Sequence, residues 1–284
     1  MTGSAVTGVS YALSARAADF YESTFVPGLS GEWARRLVAA AGVTPGRSVL
    51  DVTCGTGVVA RTAAERTGPE GSVVGLDRNE AMLDVAHRVR PDLRWQVRDA
   101  CALPFPDGSF DVVLSQAGLM FFDDRVRALR EMGRVAGGAG RIAVQVPGRL
   151  ARSAGCLALT ETVTRHASPD VFDLFSVYFA VGEPDLLTDL FDSAGLHVDR
   201  FDTWVGATRL DAVDTFLEVE LLPLAGHVEP CGTGSSRTAA PRWTGSSTPS
   251  APSPRRSSCT WSRRTRRCPV NLRDNIGRWV PNIG

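Results

Sequence analysis

The feature that most constrains the fold is an ordered alternation of buried strand, turn and helix patterns beginning near Val43. Ser48 to Val52 reads as a buried strand running into the glycine-rich turn Thr53-Cys54-Gly55-Thr56-Gly57, and a helix follows through Arg66, stopping before Gly68. A second strand, Ser72 to Leu76, ends at Asp77, with a helix from Asn79 to Val89. A third strand, Leu93 to Val97, ends at Arg98-Asp99-Ala100, and a fourth covers Phe110 to Leu114. Asp123 to Val135 is an amphipathic helix with carboxylates in its first turn, and Arg141 to Val146 is a fifth strand. Strands and helices alternating at this spacing predict an α/β protein with a doubly wound parallel sheet, helices on both faces, and ligands bound beyond the carboxyl ends of the strands. Upstream lie two helical pieces, Ala12 to Phe25 and a second starting at Ser30, an N-cap candidate.

The strand ends carry the chemistry. Glycines after the first strand let backbone N–H groups approach a ligand closely, and Asp77 sits roughly 20 residues past them, where a ribose-binding carboxylate belongs. A nucleoside-containing ligand is implied. An isolated Gly-x-Gly would be read as a plain tight turn; the ordered strand, turn, helix, strand and acid reverse that preference. Gly55-x-Gly57-x-x-Ala60 also satisfies the dinucleotide pattern, so an NAD(P)-dependent oxidoreductase is the alternative.

The sequence resembles the class I S-adenosylmethionine-dependent methyltransferases, and within them the small-molecule group that includes ubiquinone- and menaquinone-type C-methyltransferases. Five ordered blocks carry the resemblance: Val49 to Gly57; Val74 to Asp77 with Met82 and Leu83; Asp99 and Ala100 with Leu103 to Phe105; Ser109 to Val113; and Glu131 to Val135. It extends over roughly residues 11 to 225 and weakens beyond Pro147. The resemblance implies a Rossmann-like methyltransferase sheet and S-adenosyl-L-methionine as cofactor, with S-adenosyl-L-homocysteine as product. It further implies that Asp51 orients the methionine ammonium, that Gly55, Thr56 and Gly57 pass the backbone against the cofactor, and that Asp77 accepts both ribose hydroxyls. Arg78 and Met82 flank the adenine, Asp99 and Ala100 read its edge, and Ser115 and Gln116 lie where sulfonium and substrate meet. Asp51, Asp99 and Met82 each have a plainer reading, as a turn cap, a loop cap and core. The family often has Ala where this chain has Thr53, and a hydroxyl there is tolerated.

Methyl transfer from a sulfonium demands alignment and exclusion of water more than a strong catalytic signature. No catalytic residue is assigned. Tyr21 and His166 are the available proton acceptors, each more simply structural. The substrate is expected between the N-terminal helix, with Phe20, Tyr21 and Phe25, and the apolar run Val171, Phe172, Leu174, Phe175, Val177, Tyr178 and Phe179, which core packing explains equally well. A small apolar or aromatic molecule fits, with O-, N- or C-methylation open.

Composition sharpens these expectations. The chain of 284 residues has no lysine: all 31 of its basic residues are arginine, which removes Schiff-base lysines, P-loop lysines and Tyr-x-x-x-Lys pairs and reflects a G+C-rich gene. No apolar run is long enough for a membrane span and the start has no signal-peptide character, so a cytoplasmic protein is expected. Six cysteines without C-x-x-C spacing argue against a disulfide framework or a metal site. Residues 1 to 230 hold 21 arginines against 30 carboxylates, an acidic balance that argues against a nucleic-acid partner. Residues 231 to 284 hold 10 arginines and one acid, Asp274.

This division gives four parts: an N-terminal helical lid (1–42), the cofactor-binding core (43–147), a substrate-side helical insert with the end of the sheet (148–230), and a tail (231–284) expected to be disordered. From Cys231 to Cys268 the tail lacks Ile, Leu, Val and Phe altogether. Read one frame over, Pro254 to Ser262 becomes an apolar strand-like run, so the expectation is a shift of reading frame near Glu229 or Pro230, and an inactive cofactor-binding product of a frameshifted gene stands as a further alternative function. In the resembled family the last strand returns antiparallel between the fifth and sixth, here Leu196 to Trp204 for the sixth; the tail offers no such strand, leaving strand five with an exposed edge.

Overall fold

The periodicities place the elements within a few residues of their positions in the computed structural model, which describes residues 13–166, 176–210 and 269–279. Strands β1 (Ser48–Val52), β2 (Ser72–Asp77), β3 (Arg94–Val97), β4 (Val112–Gln116) and β5 (Arg141–Pro147) pair in parallel. Helices α3 (Val58–Thr67), α4 (Glu80–Val89) and α5 (Arg125–Ala136) form the crossovers. β1, β2, β4 and β5 bury both faces, which is why β1, β2 and β5 are nearly continuous apolar runs, while the edge strand β3 is partly exposed. One core, with Leu50, Leu76, Val113, Leu129, Met132 and Ile142, fills the α5 side; the other, with Leu37, Val49, Val59, Ala63, Leu114 and Ala143, fills the side of α3 and of the helix over Gly31–Ala40.

The helices start where capping residues stand. The Asn79 side chain accepts from the Met82 N–H at 3.3 Å and Asp124 from the Arg127 N–H at 2.9 Å, each worth about 1 kcal/mol. From α5, Arg134 donates to the Leu103 and Phe105 carbonyls at 2.9 and 2.7 Å, while Glu131 accepts from the Leu103 N–H at 2.9 Å. The Glu131 to Val135 block thus pins the loop that follows Asp99 and Ala100.

Two expectations are corrected. At the N-terminus, α1 (Ala15–Phe20) passes through a π-helical segment, Tyr21–Ser30, directly into α2 (Gly31–Ala40), and Ser30 makes no side-chain cap. Pro27 lies inside that segment and has no N–H to give an α-helical ladder, so the wider winding replaces the expected break.

The sheet also has its seventh strand. After α6 (Ala154–His166) and α7 (Pro184–Ser193), β6 (His197–Thr208) and β7 (Pro269–Trp279) complete the order β3-β2-β1-β4-β5-β7-β6. The tail expected to be disordered therefore supplies a strand, and β5 is paired on both sides, so its edge is not exposed. Val270, Leu272 and Ile276 alternate with polar neighbours, but three apolar residues among Asn, Arg and Asp make too short a period to stand out from an arginine-rich tail. β7 runs parallel to both neighbours, not antiparallel; a parallel neighbour needs a crossover of roughly a dozen residues or more, which the 211–268 interval exceeds. The expected frame-shift point and the Cys231 to Cys268 stretch lie outside the described residues. Among the described residues no helix is long and apolar enough to cross a membrane.

Candidate functional site

The carboxyl ends of β1, β2, β3 and β4 open into one cavity of about 250 Å³, roofed by the N-terminal helical segment and by residues after β5. Its floor is the turn after β1. Gly57 adopts φ +87° at the start of α3, and a Cβ there would meet the Trp95 ring at 2.3 Å, so both conformation and packing call for glycine. The Gly55 N–H donates to Asp77 Oδ2 and the Asn79 N–H to Asp77 Oδ1, both at 2.9 Å, which fixes that carboxylate with lone pairs left over. Asp51 Oδ2 accepts from the Ala60 N–H at 2.9 Å; its Oδ1 is buried with no partner among the described residues.

Both carboxylates are electrostatically costly. Burial, with a smaller contribution from the charge of Asp77, pushes Asp51 up to about 8 against the stabilising Ala60 N–H. Burial likewise raises Asp77, offset by the N–H groups of Asn79 and Gly55. A cation beside Asp51 and hydroxyl donors beside Asp77 would relieve this cost.

Asp51, Gly55, Asp77, Arg78, Met82, Asp99, Ala100 and Gln116 all line the cavity. Thr56 and Gly57 are not among its lining residues and shape the turn from behind. Met82 serves two roles, facing the cavity and packing with Ala18 and Val85. Asp99 caps its loop, accepting from the Cys101 N–H at 2.8 Å, and also lines the cavity. Arg78 pairs with Asp123 at 3.5 Å. The helical roof is tied to the turn through Arg61, which pairs with Glu22 at 2.8 Å and donates to the Thr56 carbonyl at 2.6 Å.

Much of the rest of the lining is aromatic. Tyr21 stacks on Phe25 at 4.9 Å, and Phe121 meets Tyr178 edge-on at 5.2 Å. These four line the cavity with Leu29, Trp33, Phe122 and Phe179, whereas Phe20 does not. Trp33, Phe121 and Phe122 escape the sequence reading because their own neighbourhoods explain them as core. Val171, Phe172, Leu174 and Phe175, and the side chain of His166, lie outside the described residues. Burial pushes the Tyr21 hydroxyl up to about 12, away from a proton acceptor's range near neutral pH. Elsewhere in the lining, Thr53 and Ala117 hold φ of +59° and +50°, a strained region for a β-branched residue. Thr53 Oγ1 shares a 3.1 Å hydrogen bond with Ser115 Oγ, and a Cβ on Gly118 would lie 1.9 Å from it. The Thr53 hydroxyl is therefore built into the site, and Ser115 supports it from outside the cavity lining.

Residues 49–140 match the methyltransferase domain family. A demethylmenaquinone methyltransferase of Renibacterium salmoninarum is 42% identical over 118 residues, covering 41% of this chain and 48% of that protein. A ubiquinone/menaquinone biosynthesis C-methyltransferase UbiE of Stenotrophomonas maltophilia is 43% identical over 137 residues, covering 45% and 54%. The chain thus spans about half the length of these curated relatives. A solved Methanococcus maripaludis structure, assigned as an S-adenosyl-L-methionine-dependent methyltransferase, shares the fold with a TM-score of 0.50 at 17% identity, over 69% of this chain and 89% of that one. S-adenosylmethionine fits the site on chemical grounds: the unpartnered Asp51 oxygen suits its ammonium group and the Asp77 carboxylate its ribose hydroxyls. Residues 49–140 thus match a methyltransferase domain and are similar in sequence to the corresponding part of ubiquinone/menaquinone C-methyltransferases.

Proposed function

We propose that the protein transfers a methyl group from S-adenosylmethionine to a small, apolar or aromatic molecule. The observation that carries this reading is one cavity lined both by the Asp51 and Asp77 carboxylates and by the Tyr21, Phe25, Phe121 and Tyr178 rings. When bound, S-adenosylmethionine supplies a methyl group on a positively charged sulfur with a neutral thioether as leaving group. Asp51 would hold the ammonium end, Asp77 the ribose, and Asp99 and Ala100 the edge of the base, with Arg78 and Met82 beside it. The aromatic walls would orient a flat substrate and keep water from the transfer, supplying alignment in place of a strong base. The 39 to 43% identity to quinone C-methyltransferases over part of the chain supports a quinol-like ring as acceptor.

Calorimetry with S-adenosylhomocysteine, followed by transfer of a labelled methyl from S-adenosylmethionine to a panel of quinols and phenols, tests the reading. Micromolar binding with transfer to at least one aromatic acceptor is expected. NAD binding in its place would turn the assignment to an oxidoreductase.

For residues 231–284 we propose a shift of reading frame near Glu229 or Pro230, supported by the tail's composition and by a last strand parallel where the resembled family has it antiparallel. Stop codons in the alternative frame of the coding DNA would reject it.

A further inference from the structure

The N-terminal roof of the cavity is held unevenly. Near its last turn it is pinned to the body of the protein: the Gly28 carbonyl accepts from the Arg209 N–H at 2.9 Å, a Cβ on Gly28 would lie 2.6 Å from the Arg209 carbonyl, and the Ser30 carbonyl accepts from Gln116 Nε2 at 3.2 Å. Toward Leu13 the ties are weaker. The Leu13 carbonyl accepts from Asn79 Nδ2 at 3.4 Å, and Asp19 pairs with Arg88 with both side chains more than half exposed, an arrangement that contributes little. Glu22 is the exception. It pairs with Arg61 at 2.8 Å, with side chains 21% and 14% exposed, and Arg61 also donates to the Thr56 carbonyl of the glycine-rich turn at 2.6 Å. Between Glu22 and Gly28 the chain follows the π-helical winding through Pro27, a wide winding of the kind that recurs at functional sites. Leu13, Tyr21 and Phe25 line the cavity from this side, and Tyr21 is near enough to Asp51 and Asp77 to feel both charges.

We propose that residues 13–26 are a gate over the cofactor-binding part of the cavity and that the Glu22–Arg61 pair is its clasp, a reading that rests on the cavity taking S-adenosylmethionine. A ligand as long as a nucleoside joined to an amino acid has to pass the roof to reach Asp51 and Asp77, and the pins at Gly28 and Ser30 make the Leu13 side the one that swings. Opening separates Glu22 from Arg61 and returns both charges to water. Desolvation offsets much of the attraction in a pair held out of water, so the clasped and open forms lie close in free energy, as a reversible gate requires. Glu22 engages Arg61 through Oε1, and its Oε2 is buried with no partner among the described residues, which lowers the gain on closing further. Arg61 joins the gate to the floor of the cavity. Its bond to the Thr56 carbonyl braces the turn that carries Gly55 and Gly57, so closing the roof and bracing the turn occur together.

Stopped-flow binding of S-adenosylhomocysteine to the full chain, followed by tryptophan fluorescence because Trp33 lines the cavity, tests the gate. Glu22→Gln should raise both the association and the dissociation rate about fivefold or more, because a gate slows entry and exit alike. The double variant Glu22→Gln/Arg61→Gln, which leaves neither charge buried alone, should match Glu22→Gln in association rate within about twofold. Asp19→Asn, at the exposed pair, should stay within about twofold of the parent. Faster dissociation with unchanged association would make the pair a support of the bound ligand and overturn the gate, as would rates unmoved in the double variant. Amide exchange on the ligand-free proteins gives a second reading: residues 14–26 should exchange about fivefold or more faster in the double variant, with β1 and β2 unchanged. Unaltered exchange there overturns the clasp. A parent that binds no S-adenosylhomocysteine rejects the proposed function, while the exchange comparison still decides the clasp.

Discussion

The carboxylate and the aromatic parts of the cavity lining are held by different forces. In the carboxylate part, Asp51 and Asp77 are clamped by backbone N–H groups of Ala60, Gly55 and Asn79, all within a stretch of about 30 residues spanning β1, α3 and β2. The aromatic lining is contributed by the π-helical segment, where Tyr21 stacks on Phe25, and by the loop after β4 and the segment before α7, where Phe121 meets Tyr178 edge-on. Backbone clamps set geometry to within tenths of an ångström and suit a ligand that never varies; packed rings tolerate repacking and suit one that does. The two parts should thus be separable by mutation.

Asp77→Ala is the strongest test of that separation. Two hydroxyl hydrogen bonds to an ionised carboxylate are worth about 3 kcal/mol or more together, so affinity for S-adenosylhomocysteine should fall about 100-fold. Binding of 1-naphthol, a flat phenol that probes the aromatic part, to the ligand-free protein should stay within about threefold. A parallel loss of naphthol binding would show that the Asp77 clamp on Gly55 shapes the whole cavity.

Asp51 gives the next largest effect, visible as a pH dependence. Its carboxyl titrates at about 8 in the ligand-free fold, so it is neutral at pH 7 and must lose its proton to meet an ammonium group. Affinity for S-adenosylhomocysteine should therefore rise with pH toward 8, by at most about tenfold per unit, with proton release measurable by calorimetry in buffers of different ionisation enthalpy. Stability of the ligand-free protein runs the other way. The unfolded carboxyl ionises near its ordinary value of 3.8 while the folded one holds its proton, so stability is lost as pH rises from about 4 to 8. Asp51→Asn should flatten both profiles and weaken binding about 10- to 100-fold at pH 8. A ligand affinity independent of pH in the parent would remove Asp51 from contact with the ammonium.

The same difference explains what the sequence made legible. Strands β1 to β5 and the position of Asp77 at a strand end follow from local signals, buried apolar runs, glycines at a turn and an acid after a strand, and the same ordered pattern brings Asp51 and Asp99 to the cavity. Trp33 and Phe121 join the cavity only through tertiary packing, and their local sequence describes them equally well as core. Thr53 carried a visible departure from the usual alanine, but its left-handed backbone and its bond to Ser115 depend on β4. The π-helical segment and β7 were illegible for the same reason. Pro27 needs the neighbouring helices to hold a wide turn, and the alternation at Val270, Leu272 and Ile276 acquires meaning only beside β5 and β6.

A smaller effect is expected in the aromatic part. Phe121→Ala removes the edge contact with Tyr178 and part of the wall, and naphthol affinity should fall about tenfold, from the pair's ~0.5 to 1.5 kcal/mol and the lost apolar area. S-adenosylhomocysteine should bind as before. If its affinity falls equally, the two parts are coupled and the comparison fails.

Tyr21→Phe should change least, and its smallness is informative. With its hydroxyl pushed up to about 12, mainly by burial, Tyr21 stays protonated across the working range and has no negative oxygen to take a proton from an acceptor. Its ring, stacked on Phe25 at 4.9 Å, survives the substitution. Methyl-transfer rates to a quinol should shift by less than about threefold, within the spread of a single lost weak hydrogen bond, with the pH profile unmoved. A hundredfold loss together with a vanished ionisation would make Tyr21 a proton acceptor, and the aromatic part would then carry chemistry as well as shape.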